Sequence, residues 1–179
     1  RKPTIENASE FIFCALEQNL DIAATRKNYV DYLAHRPRVE KIGEHGLFTD
    51  EGEPVVLGQV QNQVADHKGI VWTHVISLRR EDAARLGYDS AVQWMALLRS
   101  KRAMLCKHMK IDSANLKWYA AFHNESHHPH VHLLVYSVKD GEGYLTKQSI
   151  EAMRSELAHD IFRQDFANIY EEQAQSRMD

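Results

Sequence analysis

The runs Trp118-Tyr119-Ala120-Ala121-Phe122 and Val131-His132-Leu133-Leu134-Val135-Tyr136 are apolar, rich in aromatic and aliphatic residues, and separated by a short polar link. Two such runs around a segment with the turn-former Pro129 predict paired antiparallel strands. No other feature constrains the chain as much, because the link is dense in histidine. His123-Asn124-Glu125-Ser126-His127-His128-Pro129-His130-Val131-His132 holds five of the eleven histidines. Side chains alternate along a strand with a period of two, so His130 and His132 point to one face. An antiparallel return after His123 brings a third imidazole beside them.

Three converging imidazoles predict a metal site. Neutral histidine is the commonest protein ligand for first-row transition metals and adds no negative charge, so such a site can stay net positive and polarise a phosphate. Three protein ligands leave coordination positions open for substrate or water. A lone histidine is more often a surface or core residue, but here alternation, flanking strands and Pro129 agree with one another. His127 and His128 fall in the turn and are read as solvated loop residues or DNA contacts. The ligand set admits Mn, Mg or Zn, and affinity order alone does not select among them.

Elsewhere the pattern alternates strands and helices. Residues 11–16 and 70–77 read as strands, the second being the clearest in the chain. A helix is expected over residues 23–34, ending before Pro37, which lacks an N–H and restricts the residue ahead of it. Residues 37–54 are loop-like, with a short hairpin beginning at Gly46-Leu47-Phe48, and a helix is expected over 56–66. Residues 81–87 form a short helix closed by Gly87. Asp89 or Ser90 caps a long helix running to about Lys110. After a turn at Asp140-Gly141-Glu142-Gly143, Thr146 caps a final amphipathic helix. These elements predict the α+β class, with one antiparallel-rich sheet and helices packed on a face. Residues 1–179 are read as one domain, with 146–179 as a C-terminal helical segment.

Composition narrows the setting. No apolar stretch approaches the roughly 20 residues that span a bilayer, and the N-terminus lacks a signal-peptide core, so no membrane insertion is expected. Cys14 and Cys106 form no spaced motif and are expected to be reduced, buried thiols in a cytoplasmic protein. Because the chain begins at Arg1, it is read as part of a longer protein. The net charge of −3 argues against a generic DNA-coating protein. The distribution differs, however: residues 140–179 carry nine acids and four bases, leaving the rest at +2. Arg99, Lys101, Arg102, Lys107 and Lys110 form an acid-free stretch. Arg26, Lys27, Arg36, Arg38 and Lys41 form a second basic cluster, diluted by Asp31 and Glu40. Phosphate contact needs local positive potential, which these clusters supply.

The tract from His123 to His132 resembles the third motif of conjugative relaxases of the MOBP class: a leading His, an acidic residue two positions on, then a His-x-His pair. These enzymes belong to the HUH endonucleases, named for two histidines around a hydrophobic residue, here His130-Val131-His132. The resemblance implies a ferredoxin-like, HUH relaxase-type fold and a divalent metal held by His123, His130 and His132. It implies that Glu125 orients a ligand histidine from behind, although the family more often carries Asp there. Asn28-Tyr29-Val30-Asp31-Tyr32-Leu33-Ala34 is similar to the family's tyrosine motif, with Tyr32 favoured over Tyr29 as nucleophile. Three apart on a helix, the two tyrosines share a face, so one can assist the other. The strand over 71–77 resembles a supporting strand; His74 on it is read as structural, and Arg79 and Arg80 beyond it as phosphate contacts. The likeness covers roughly residues 8–140. Around Arg36-Pro37-Arg38-Val39-Glu40-Lys41 the chain looks closest to relaxases of integrative elements of Gram-positive hosts, as the N-terminal catalytic domain of a mobilisation protein.

The resemblance thus implies a metal-dependent, strand- and site-specific enzyme that nicks and rejoins single-stranded origin-of-transfer DNA, with accessory relaxosome and coupling proteins as partners. A phenolate suits this work because it attacks a phosphodiester and remains attached, conserving the bond for rejoining. Three alternatives stand beside it. A rolling-circle replication initiator or single-strand transposase would share the chemistry, but usually with the tyrosine after the His pair, where Tyr170 is the obvious candidate. A metal-dependent phosphodiester hydrolase would use Glu125 as base and leave no adduct. A non-catalytic DNA-binding or metal-storage module would bind without nicking.

Overall fold

Four strands, β1 (Ile12–Glu17), β2 (Trp72–Ser77), β3 (Leu116–His123) and β4 (His130–Ser137), form one sheet in the order β1-β2-β4-β3, every neighbour antiparallel. The computed structural model describes residues 11–17 and 23–178, without the side chains of residues 14–17, 23 and 24. Residues 8–10 of the resemblance and the burial expected of Cys14 therefore lie outside the described part. Seven α-helices are found among the described residues: α1 (Ala23–His35), α2 (Leu57–Asp66), α3 (Arg80–Leu86), α4 (Ala91–Arg99), α5 (Arg102–Met109), α6 (Lys147–Ile161) and α7 (Arg163–Met178).

The class is α+β, as the pattern of elements predicts, but helices cover both faces of the sheet rather than one. The reason lies in β3 and β4, where almost every position is buried whichever way it points. A sheet apolar on both sides has to be covered on both sides. On one face, Tyr119, Ala121, Leu134 and Tyr136 pack against Val30, Leu33 and Ala34 of α1 and Val60 and Val64 of α2. On the other, Trp118, Phe122, Val131, Leu133 and Ile76 meet Trp94 and Leu98 of α4, Leu105 and Met109 of α5, and Met153 and Leu157 of α6.

Two long helices expected from the sequence are each divided. The first breaks after Arg99, where the Ser100 hydroxyl donates to the Leu97 carbonyl at 2.5 Å and the Lys101 N–H bonds to the Leu98 carbonyl at 3.0 Å. These tighter bonds end the α-helical pattern. Tertiary contacts flank the break: Arg99 donates to the Thr49 carbonyl, Lys101 pairs with Asp160, and Arg102 pairs with Asp50 at 2.5 Å. Nor does a side chain of Ser90 cap α4; instead the Glu40 carboxylate accepts from the Ala91 N–H at 2.7 Å. The last helix breaks at Phe162, which turns fully into the core and meets Phe11 edge to face at 6.1 Å. Thr146 caps α6 as expected, but α7 buries no residue and is not amphipathic.

Residues 37–54 lie along the outer edge of β3. Val39 bridges to His123 and Phe48 to Ala120, so Phe48 pairs with the sheet rather than starting a local hairpin. Gly46 donates to the Ala34 carbonyl at 3.0 Å, and a Cβ there would lie 2.2 Å from Val39 Cγ2, so the close approach requires glycine. This segment satisfies backbone groups that an open edge strand would expose. Among the described residues, no helix is long and apolar enough to cross a membrane.

Candidate metal centre

The β3–β4 hairpin places the histidines by register alone. His123 ends β3 and faces His130, the first residue of β4; His132 lies between Ala121 of β3 and Val75 of β2. Directly opposed residues share a face, so all three imidazoles stand on the side covered by α1. Their ring centroids are 5.3, 4.9 and 5.0 Å apart. One ring nitrogen from each lies within 4.8 Å of the other two.

Hydrogen bonding separates the two nitrogens of two of the rings. His123 Nε2 is 3.1 Å from the Leu33 carbonyl, and His130 Nδ1 is 3.0 Å from the His128 carbonyl. A carbonyl only accepts, so each of these nitrogens carries the proton and the opposite nitrogen keeps its lone pair. His123 Nδ1 and both nitrogens of His132 are buried without a partner. Buried, unpartnered polar atoms are costly, and His123 Nδ1 together with one nitrogen of His132 and the free nitrogen of His130 could serve as the ligand set of a cation. Burial pushes His123 down to about 4 and His132 down to about 3, and lowers His130 as well. Near neutral pH the rings are therefore uncharged, the state that ligates.

The polar link is stitched from outside the hairpin. The Arg80 guanidinium donates to the Ser126 carbonyl at 3.0 Å, to Asn124 Oδ1 at 2.7 Å and to the Glu125 carbonyl. The Arg80 and Leu78 N–H groups bond to the carbonyls of His127 and Pro129. Arg80, read from sequence as a phosphate contact, is thus held by the histidine link. The side chains of His127 and His128 are exposed, consistent with turn residues.

Glu125 also sits differently from its expected place. Its carboxylate lies 3.6 Å from Arg36, while backbone carbonyls occupy the outer nitrogens of His123 and His130. Arg36 stands over the Tyr32 ring, its guanidinium carbon 5.3 Å from the centroid. Its charge adds to the burial that keeps all three histidines neutral.

The tyrosines of α1 divide by helical phase. Val30, Leu33 and Ala34 face the sheet, which leaves Tyr32 outward and 45% exposed. Tyr29 is partly buried, hydrogen-bonded to the Thr73 side chain, and its phenol is pushed up by burial. The rings stack at 6.4 Å. Tyr170, on α7, is exposed in the C-terminal helix.

Of the basic residues read as DNA contacts, Arg36 and Arg80 reach the link between the histidines, Arg36 through Glu125 and Arg80 through its hydrogen bonds to residues 124–126. Arg26 is 8% exposed, with its guanidinium bonded to the carbonyls of Val64, His67 and Gly69, which makes it a brace under α1 rather than a surface cation. Lys27 and Arg38 are exposed; Arg38 has a φ of 75° and its carbonyl accepts from the Asn124 N–H at 2.8 Å. Arg79 pairs with buried Asp82. Lys107 is exposed on α5, in the layer across the sheet from the histidines. The parts that sequence reasoning missed are backbone carbonyls, those of Leu33 and His128, and no residue type signals a carbonyl's position. A search of curated proteins finds no match, and none is found among solved structures. The profile of the MobL relaxases, by contrast, matches residues 8–179, nearly the whole chain, and with the histidine cluster on the site face the chain belongs to the MobL relaxase family of DNA relaxases.

Proposed function

We propose that this relaxase nicks and rejoins one strand of an origin of transfer by HUH-type tyrosine transesterification, with Tyr32 as nucleophile and His123, His130 and His132 as ligands of a divalent cation. The observation that carries the reading is the bond from His123 Nε2 to the carbonyl of Leu33, the residue after Tyr32. It ties the backbone of the tyrosine helix to a member of the histidine cluster. The exposed Tyr32 side chain, unlike Tyr29, is open to a DNA strand. When bound, the cation would withdraw charge from the non-bridging oxygens of the scissile phosphate.

In the forward step the Tyr32 oxygen bonds to phosphorus as its proton leaves to solvent, and the bond from phosphorus to the 3′ oxygen breaks. That oxygen takes up a proton, leaving a 5′-phosphotyrosyl bond and a free 3′-hydroxyl. Rejoining reverses the exchange, because the phosphotyrosyl bond is still an activated diester. On this reading residues 1–179 form one cytoplasmic relaxase domain with 146–179 as its helical extension. It acts as the catalytic part of a MOBP-like mobilisation protein alongside relaxosome and coupling proteins.

The test is a denaturing gel of the protein incubated with supercoiled origin plasmid or single-stranded origin DNA and Mn²⁺. A covalent adduct mapping to Tyr32 is expected, with loss of nicking in Tyr32→Phe by at least about a hundredfold. Nicking by Tyr32→Phe at the wild-type rate would exclude this nucleophile. Cleavage without an adduct would indicate direct attack by water.

A further inference from the structure

The contact between Arg36 and Glu125 joins the two halves of the site. Arg36 follows α1, one turn beyond Tyr32; Glu125 belongs to the link between the histidine-bearing strands. Their closest atoms are 3.6 Å apart, beyond hydrogen-bonding distance, and the two side chains are 30% and 31% exposed. An ion pair of this kind adds little stability and yields readily to a better partner. A phosphodiester is such a partner, because the planar guanidinium donates two parallel hydrogen bonds to its oxygens.

Arg36 is also placed for that partner. Its guanidinium lies over the Tyr32 ring at 5.3 Å, and its charge is felt at His123, His130 and His132. A phosphate between tyrosine and histidines would come within reach of it. We propose that Arg36 is the phosphate-binding residue of the site and that Glu125 is its displaceable counter-ion, holding the guanidinium over Tyr32 until a DNA phosphate replaces the carboxylate. The assignment rests on the nicking reading for the identity of the phosphate, but it concerns binding and is tested without cleavage.

The experiment measures binding of a fluorescein-labelled oligothymidylate of about 12 nucleotides, within the usual site size for single-strand binders, by anisotropy in the presence of chelator. Wild type, Arg36→Gln, Glu125→Gln and the double variant are compared, with circular dichroism confirming that each is folded. Arg36→Gln is expected to weaken binding about fivefold or more and to reduce the salt slope by about 0.7, the value for one lost phosphate contact on a single strand. Glu125→Gln is expected to tighten binding about threefold, since it releases the guanidinium. The double variant should match Arg36→Gln alone, because the carboxylate acts through the arginine. If Glu125→Gln tightens binding equally with and without Arg36, its effect is bulk charge and the proposal fails. It fails as well if Arg36→Gln binds like wild type or if Glu125→Gln weakens binding. A protein that forms no adduct with origin DNA yet shows this pattern overturns the nicking reading and leaves the counter-ion role standing.

Discussion

His74 is fully enclosed in the sheet, stacked on Phe13 at 5.3 Å, and neither of its ring nitrogens has a partner. Burial lowers its pKa to about 4, against about 6.5 in an unfolded chain. Between those values the unfolded state holds the proton and the folded state does not, so stability falls as pH drops from 6.5 toward 4. From pH 7 to pH 5.5 this one group removes about 1 kcal/mol. His74→Leu, which fills the site without a titrating group, is expected to show a smaller fall in Tm over that interval; an equal fall in both proteins would show that His74 does not contribute. In the sequence His74 reads as structural because no partner is visible for it, and the geometry agrees. The same residue-level logic makes His123, His130 and His132 legible, since a period of two is a property of any strand. It does not foresee the protein partners of Arg26 and Arg80, which read from sequence as phosphate contacts and whose guanidinium groups are bonded to protein oxygens.

At the scale of elements, α3 bears on the site although it lies outside the sheet register that sets the histidines. Its first residue, Arg80, binds three oxygens of residues 124–126 and so fixes the path from His123 to His130. Removing groups that orient metal ligands typically weakens affinity by about 10- to 100-fold. Arg80→Ala is expected to lose affinity for Mn²⁺ or Zn²⁺ in that range by calorimetric titration, while its far-UV circular dichroism stays that of the wild type. Unchanged affinity would mean that the hairpin alone sets the link. Most elements are legible in the sequence: α1 stops ahead of Pro37, Gly87 closes α3 in the left-handed region, and Thr146 caps α6. The two helix breaks are not, because Ser100 and Phe162 are acceptable helix residues. The tighter local bonds at Ser100 and the inward turn of Phe162 are accompanied by contacts with Asp160, Asp50 and Phe11, whose positions no local pattern signals.

For the molecule as a whole, a metal held by the histidine cluster would link binding to folding. A ligand that binds only the folded chain adds RT ln(1 + [L]/Kd), about 3 kcal/mol at a hundredfold excess over Kd. For a domain of this size that corresponds to a rise in Tm of roughly 5–10 °C. Such a rise is expected with Mn²⁺ or Zn²⁺ in thermal unfolding, with reversal by chelator and its absence in His130→Ala/His132→Ala. An equal rise in the double variant would place the ion elsewhere. The covering of both sheet faces bears on how far the α+β reading extends: the apolar runs of β3 and β4 already imply two buried faces, but the polar alternation at His130-Val131-His132 masks this at the strand's start.

The histidines occupy the turn end of the β3–β4 ladder, with His123 and His130 on its final rung. Further along the ladder, the strands lie deep between the two helical layers. Opening the final rung at the turn would separate His123 from His130 while Leu133, Val135 and their partners stay packed, so the site can be lost at a smaller free energy than the fold. A cation held by the three histidines would act on the smaller of the two first and would clamp the end of the hairpin from within, as Arg80 does from without.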